Sequence, residues 1–249
     1  MRRPAIALLL ALPAPVLAQH EDIRNLDHGR PVATEDAFPI EAGVLELMLP
    51  TTLVRSGGES DWMLEPELMW GAFEQGMVGI GAPLALGDEG GLAGLRPFVF
   101  YTLFGGNSQV PAFALRADAA LPIGALGGDG VVGSITALFT RRFGPSRLHL
   151  NAGAAIGAVQ DAPLDDAPAK WNVSFGFDQV LVRDRAVFVA DVQLAEPLGS
   201  GDKQWLAGAG VRVELVPGMV FDAGIARRLS TWGPDLFLTA GITRSFGED

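Results

Sequence analysis

The stretch Gln204-Trp205-Leu206-Ala207-Gly208-Ala209-Gly210-Val211-Arg212-Val213-Glu214 decides the fold. Trp205, Ala207, Ala209, Val211 and Val213 fall on one parity, and Gln204, Arg212 and Glu214 on the other. Successive side chains of a strand point to opposite faces, so this is a strand with one apolar and one polar surface. The pattern recurs to either side. Phe113, Leu115, Ala117, Ala119 and Leu121 oppose Arg116 and Asp118; Leu148, Leu150, Ala152 and Ile156 oppose His149 and Asn151. Trp171, Val173, Phe175 and Phe177 oppose Asn172, Ser174 and Asp178, and Trp62, Leu64, Leu68 and Trp70 oppose Glu65 and Glu67.

Twelve such segments are read from Val44 onward, at about 44–54, 62–73, 77–86, 95–104, 110–123, 131–142, 147–159, 170–182, 186–195, 204–215, 219–228 and 236–246. The chain is 49% hydrophobic. Past residue 18, however, no run approaches the roughly 18 apolar residues a membrane helix needs. A lipid-exposed sheet cannot leave its edges unpaired, so strands that span a membrane must close on themselves. The expected fold is all-β: a closed antiparallel transmembrane β-barrel of about 12 strands occupying residues 44–249. In that arrangement the apolar parity faces lipid and the polar parity the lumen.

The connections form a second pattern. Arg55–Asp61, Gly87–Gly94, Gly124–Gly130, Gln160–Ala169, Glu196–Lys203 and Leu229–Asp235 are long. Glu74–Gly76, Gly105–Gln109, Phe143–Ser146, Arg183–Arg185 and Val216–Gly218 are shorter. Short periplasmic turns and longer external loops characterise outer-membrane barrels, which a secreted β-sandwich has no reason to imitate.

Residues 1–18 read as a signal peptide: Arg2 and Arg3, an apolar run from Ala5 to Leu12, and Val16-Leu17-Ala18 before a cleavage point at Gln19. Residues 19–43 are acidic and interrupted by Pro31 and Pro39, which predicts an irregular periplasmic leader or a partial plug. The formal charge of −11 excludes nucleic acid as a partner, since phosphate binding demands clustered Lys and Arg. There is no Cys, which removes disulfides and thiolate metal sites. No cofactor or metal is expected, because His and carboxylates never cluster at ligand spacing.

Catalysis by a Ser or Thr nucleophile needs a His base oriented by a third group. Of the three His, His20 and His28 lie in the leader. His149, with Asn151 beside it and Ser134 and Thr136 on the preceding segment, lacks the Ser two residues on that a barrel phospholipase of the His-x-Ser type carries. The sequence therefore predicts no enzyme.

What remains is the lumen. The parity points Glu65, Glu67, Arg116, Asp118, His149, Asn172, Asp178, Asp191, Gln193, Arg212, Glu214, Asp222 and Arg228 inward. Buried charges cost several kcal/mol each unless paired or hydrated. They therefore either flank a narrow wet path or pair across the interior and close it. Arg212 is the expected partner of Asp191. External acids (Glu59, Asp61, Asp88, Glu89, Asp129, Asp161, Asp165, Asp166, Asp202, Asp235) outnumber Arg55, Lys170 and Lys203, which fits solubility or divalent-ion bridging to lipopolysaccharide. The last segment alternates Leu236, Leu238, Ala240, Ile242 and Phe246 against Thr239, Gly241, Thr243 and Ser245. An aromatic near the end of the final strand resembles the signal read by barrel-assembly machinery, although Gly247-Glu248-Asp249 follow it here.

Gly29-Arg30-Pro31-Val32-Ala33-Thr34-Glu35-Asp36, followed by Gly43-Val44-Leu45-Glu46-Leu47, resembles the opening of outer-membrane transporters grouped under a meta-pathway of phenol degradation. Members begin with a similar Arg-Pro-x-x-Thr-(Asp/Glu)-Asp stretch before a strand approached through Gly and Glu. The resemblance spans some twenty residues and implies passage of small, aromatic compounds. The expected function is a passive or gated conduit for small apolar or aromatic solutes in the outer membrane. The competing expectation is a plugged structural or adhesion barrel whose loops bind a partner.

Overall fold

The computed structural model describes residues 23–88, 90–107, 109–157 and 169–247. The expected signal peptide and the loop acids Glu89, Asp161, Asp165 and Asp166 lie outside the described residues. Among the described residues fifteen strands follow in order: β1 (Leu45–Ser56), β2 (Glu59–Leu64), β3 (Glu67–Phe73), β4 (Gly76–Gly81), β5 (Leu84–Leu86), β6 (Gly91–Leu92), β7 (Arg96–Phe104) and β8 (Ala112–Ala120). Then come β9 (Val132–Phe143), β10 (Ser146–Gly157), β11 (Ala169–Val182), β12 (Ala186–Pro197), β13 (Gln204–Val216), β14 (Met219–Arg228) and β15 (Leu236–Phe246).

Three pairs of these strands are halves of one crossing. β1 pairs with β3 through Leu45–Met48 and with β2 through Thr51–Ser56, so β2 and β3 run end to end along it. β4 with β5, and β6 with β7, continue the same way, which makes twelve antiparallel crossings. Eleven register pairs, from Leu45 opposite Phe246 to Arg55 opposite Leu236, join β1 to β15 and close the barrel. Two of the three breaks fall at Pro66 and Pro83, which have no N–H for the ladder, and the third at Gly94, with φ of 118°. One bond bridges each junction: Glu65 N–H to the Pro50 carbonyl at 3.1 Å, Ala82 to Pro66 at 3.0 Å and Ala93 to Pro83 at 2.8 Å.

The end where Val44 leads into β1 is called the near end. Its turns are mostly tight, such as Pro217-Gly218, with φ of 70° at Gly218. The expected rule of connection lengths holds only in part. Gly57 and Gly58 alone join β1 to β2 at the far end, because two glycines at φ 59° and 98° permit a two-residue hairpin. Residues 105–111, at the near end, make a longer connection than that. Glu59 and Asp61 therefore belong to β2, and Lys170 to β11, rather than to loops.

Outside, Leu47, Leu49, Trp70, Ile80, Val99 and Phe175 are among many large apolar side chains left exposed. On a soluble protein so much exposed apolar surface is a liability; in a bilayer it is the required face. Inside, the near half is filled. Residues 23–43 run through the lumen before Gly43 bonds Gly71 of β3 and the chain enters β1. Ala37 and Ile40 pack with inward Met48, Met69, Met77, Phe98, Phe100 and Leu138. Ile23, Leu26 and Val32 pack with Val187, Val189 and Val220. The wall is not uniformly polar inside; it carries apolar patches where the luminal segment rests.

Candidate functional site: a charged luminal segment beneath a far-end cavity

Most of the inward charges of the near half meet residues of the luminal segment. Asp27 and Arg30 complete a ring of four charges with Arg212 and Asp222. Asp27 lies 2.8 Å from Arg212 and 3.7 Å from Arg30, and Arg30 lies 2.8 Å from Asp222. Arg212 and Asp222 face each other across β13 and β14. Arg30 also donates to the Thr243 hydroxyl at 3.1 Å. The Thr34 N–H and hydroxyl both donate to Asp191 at 3.0 Å. Glu35 accepts from Arg116 at 3.1 Å, and Arg116 in turn donates to Asp118 at 2.8 Å while lying 3.8 Å over the Phe98 ring. Asp36 pairs with Arg147 at 2.8 Å.

Asp178 is the most connected wall carboxylate, accepting from Arg147 at 2.6 Å and Arg24 at 3.1 Å and contacting His149 at 2.8 Å. Thr140 accepts the Ala37 N–H at 2.9 Å and lies 3.0 Å from His149 Nδ1. The hydroxyl proton is then free for Nδ1, which leaves Nε2–H to donate to Asp178. Glu214 is buried near the near end. Arg228, toward the far end, pairs with Asp235 at 2.5 Å.

The expected pairing of Asp191 with Arg212 is not formed. In the β12–β13 register Asp191 stands opposite Gly208 and Arg212 opposite Val187, four residues apart along the strand. The luminal segment supplies both with partners instead. The expectations missed Arg24, Arg96, Thr140 and Arg147 as well. Arg147 could have been found, because it shares the parity of His149 and Asn151. The run Ala186-Val187-Phe188-Val189-Ala190, apolar on both parities, signals a strand covered on both sides.

Asp36 and His28 of the luminal segment are shifted from their ordinary values. Burial pushes the Asp36 carboxyl up to about 7, outweighing the opposing pull of Arg147. Burial opposes charging of His28, but its Glu35 neighbour prevails and holds the imidazole above its ordinary value.

Above the segment the far half is hollow. A cavity of about 410 Å³ stands on His28–Ala33 and reaches Asp61, Ala169 and Pro197 toward the far end. The charged groups of its wall lie on one arc, at Asp61, Glu65, Glu67, Arg96, Arg116 and Asp118, and the luminal segment adds His28 and Arg30 from below. Glu65 accepts from Arg96 at 3.2 Å. The arc from β9 to β15 carries neutral groups such as Asn172, Gln193, Gln204, Leu206, Ala226 and Phe237. No three His, Asp or Glu converge as metal ligands among the described residues.

An apolar exterior, a closed ladder of twelve crossings and a polar, partly filled lumen define a bacterial outer-membrane β-barrel. No protein-family model and no curated protein matches the chain. Solved structures do. An outer membrane channel of the COG4313 group from Pseudomonas putida F1 is similar at a TM-score of 0.69 and 11% identity, over 89% of this chain and 100% of that one. The KdgM porin is similar at a TM-score of 0.58 and 6% identity, over 81% of this chain and 99% of that one. Identities this low establish a shared fold.

Proposed function

We propose that the protein is a gated conduit for small solutes across the outer membrane, with residues 23–43 as the gate. The observation that carries this reading is the divided lumen: a cavity of about 410 Å³ ends on His28–Ala33, and the path beyond it is occupied by a segment held through separable polar contacts. A barrel meant only as a scaffold can fill its lumen with its own wall side chains, as small barrels do. The far end faces outward, because the amino-terminal segment joins β1 at the near end. The solutes are small and carry an apolar or aromatic body, in keeping with the resemblance of Arg30–Asp36 to transporters of that kind. The barrel contacts lipid and lipopolysaccharide, and β15, ending at the outward Phe246, is the segment presented to the assembly machinery. The reading assigns no catalysis. Thr140, His149 and Asp178 stand in the order of a hydrolytic triad, yet they are 3%, 1% and 0% exposed under the luminal segment, and Asp178 is occupied by two arginines.

Single-channel recording in planar bilayers tests the reading. The wild type should show small, infrequent openings, and Arg30→Met, which unpins the segment, should lengthen or enlarge them. If Arg30→Met frees the segment and still passes no current, the barrel is a plugged structural or adhesion element instead.

A further inference from the structure

The far-end cavity has walls of two kinds, and their charges do not balance. Four carboxylates, Asp61, Glu65, Glu67 and Asp118, line its charged arc with two guanidiniums, Arg96 and Arg116; Arg30 and His28 also reach the cavity from the luminal segment, but Arg30 is held by Asp222 at 2.8 Å and His28 lies 3.6 Å from Glu35. Arg96 is engaged by Glu65 at 3.2 Å. Arg116 is divided between Asp118 at 2.8 Å and Glu35 at 3.1 Å. Glu67 has no hydrogen bond and no ion pair among the described residues.

Glu67 is also crowded by a like charge. A Cβ built on Gly81 would lie 3.3 Å from a Glu65 oxygen and 3.6 Å from a Glu67 oxygen, so both carboxylates gather over the same bare glycine. In a partly desolvated lumen two adjacent carboxylates with one guanidinium between them favour a second cation. Glu67 stands opposite Met48 in the β1–β3 register, at the depth of the cavity floor. Phe237 stands opposite Val54, six residues further toward the mouth, and Leu206 and Ala226 line the uncharged arc. The space therefore has an anionic patch low on one arc and, across from it, an uncharged wall that includes Leu206, Ala226 and Phe237, in a volume within the range of small-molecule sites.

We infer that this cavity is a binding site for a small organic cation, a protonated amine on an apolar body, with Glu67 as the anchor for the ammonium group. The inference rests on the conduit reading only in taking the cavity as open to solute from the far end. Bare divalent ions fit it less well, since they would leave the apolar groups of the wall unused and no three His, Asp or Glu converge among the described residues.

Three probes of one shape separate the charge from the body: benzylamine, benzyl alcohol and benzoate, titrated calorimetrically at neutral pH into the detergent-purified full chain. Benzylamine should bind at least tenfold more tightly than benzyl alcohol, and benzoate least. Glu67→Gln should remove that tenfold advantage and leave benzyl alcohol unchanged, while Phe237→Ala should weaken benzylamine and benzyl alcohol alike. Raising the salt concentration should weaken benzylamine selectively in the wild type, which reads the same ion pair without a variant. Equal binding of the three probes, or a benzylamine affinity indifferent both to Glu67→Gln and to salt, overturns the inference. Binding is measured without transport, so a barrel that binds benzylamine and passes no current would refute the conduit and keep the site.

Discussion

Replacing Arg30 by Met tests how tightly the luminal segment is held. Arg30 is 3% exposed and reaches three strands: Asp222 on β14, Thr243 on β15 and the Met48 sulfur on β1. Methionine keeps most of the volume and removes the charge, leaving the four-charge ring with Asp27, Arg212 and Asp222, one negative charge in excess. Removing one partner of a buried pair costs about 3–5 kcal/mol, because the other charge stays buried. At about 1.4 kcal/mol per decade, the undocked population should rise by about two to three and a half orders of magnitude. Hydrogen exchange reads it directly: Thr34, Glu35 and Ala37 donate their amides to Asp191, Asn151 and Thr140, so undocking exposes all three. Adding Asp222→Asn restores neutrality, leaving Asp27 with Arg212, and should recover part of the protection. Unchanged exchange at residues 34–37 in the single variant, or a double variant no better protected, would refute the charge-ring account.

Other perturbations separate wall, segment and orientation. Ala209→Arg puts a cation on the lipid face of β13 and should cost about 2–4 kcal/mol of barrel stability in lipid unfolding experiments. Gly210→Ala should speed exchange at 34–37 and cost the barrel less than the arginine does, because its Cβ would stand 2.6 Å from both the Pro31 ring and the Ala223 carbonyl of β14. Equal effects of the two would show the β13 register to be wrong. Docking should weaken as pH rises. An Asp36 carboxyl raised from 3.8 to about 7 on docking leaves docking unopposed below 3.8 and penalises it progressively up to about 7. His28, raised on docking, contributes below its ordinary 6.5 and loses that contribution as pH climbs through the docked value. Exchange at 34–37, corrected for its intrinsic pH dependence, should therefore show less protection at pH 8 than at pH 5; the reverse order would contradict both assignments. On intact cells a thiol reagent should label Asp202→Cys in the far-end loop and spare Asp184→Cys in a near-end turn, and the opposite pattern would invert the barrel.

Period-two alternation carries most of the fold. The face of a side chain depends only on its parity, so Arg116, His149, Asp178, Asp191, Arg212 and Asp222 are legible as inward from the sequence alone. Parity says nothing of height. Stagger between neighbouring strands decides which inward group meets which, and it set Asp191 against Gly208 and not against Arg212. The prolines that split β2 from β3 and β4 from β5 lie inside runs that still alternate, so the breaks are invisible to the pattern. The leader was hardest to read. Its acids look like a solvated tract, and only the wall reveals that Asp27 answers Arg212, Glu35 answers Arg116 and Asp36 answers Arg147.

The seam between the first and last strands acquires a chronology from this arrangement. A sheet becomes a cylinder only when β1 meets β15, and Arg30 touches both margins of that joint, at Met48 and at Thr243, as well as β14 beyond it. Ser245 adds a bond to Glu46 across the same joint at 3.0 Å. The leader enters β1 directly after Gly43, and because its contacts span the joint they favour the shut form over the open sheet. Loss of residues 23–43 should then slow closure during assembly as well as unblock the finished barrel: the stopper is also the clasp.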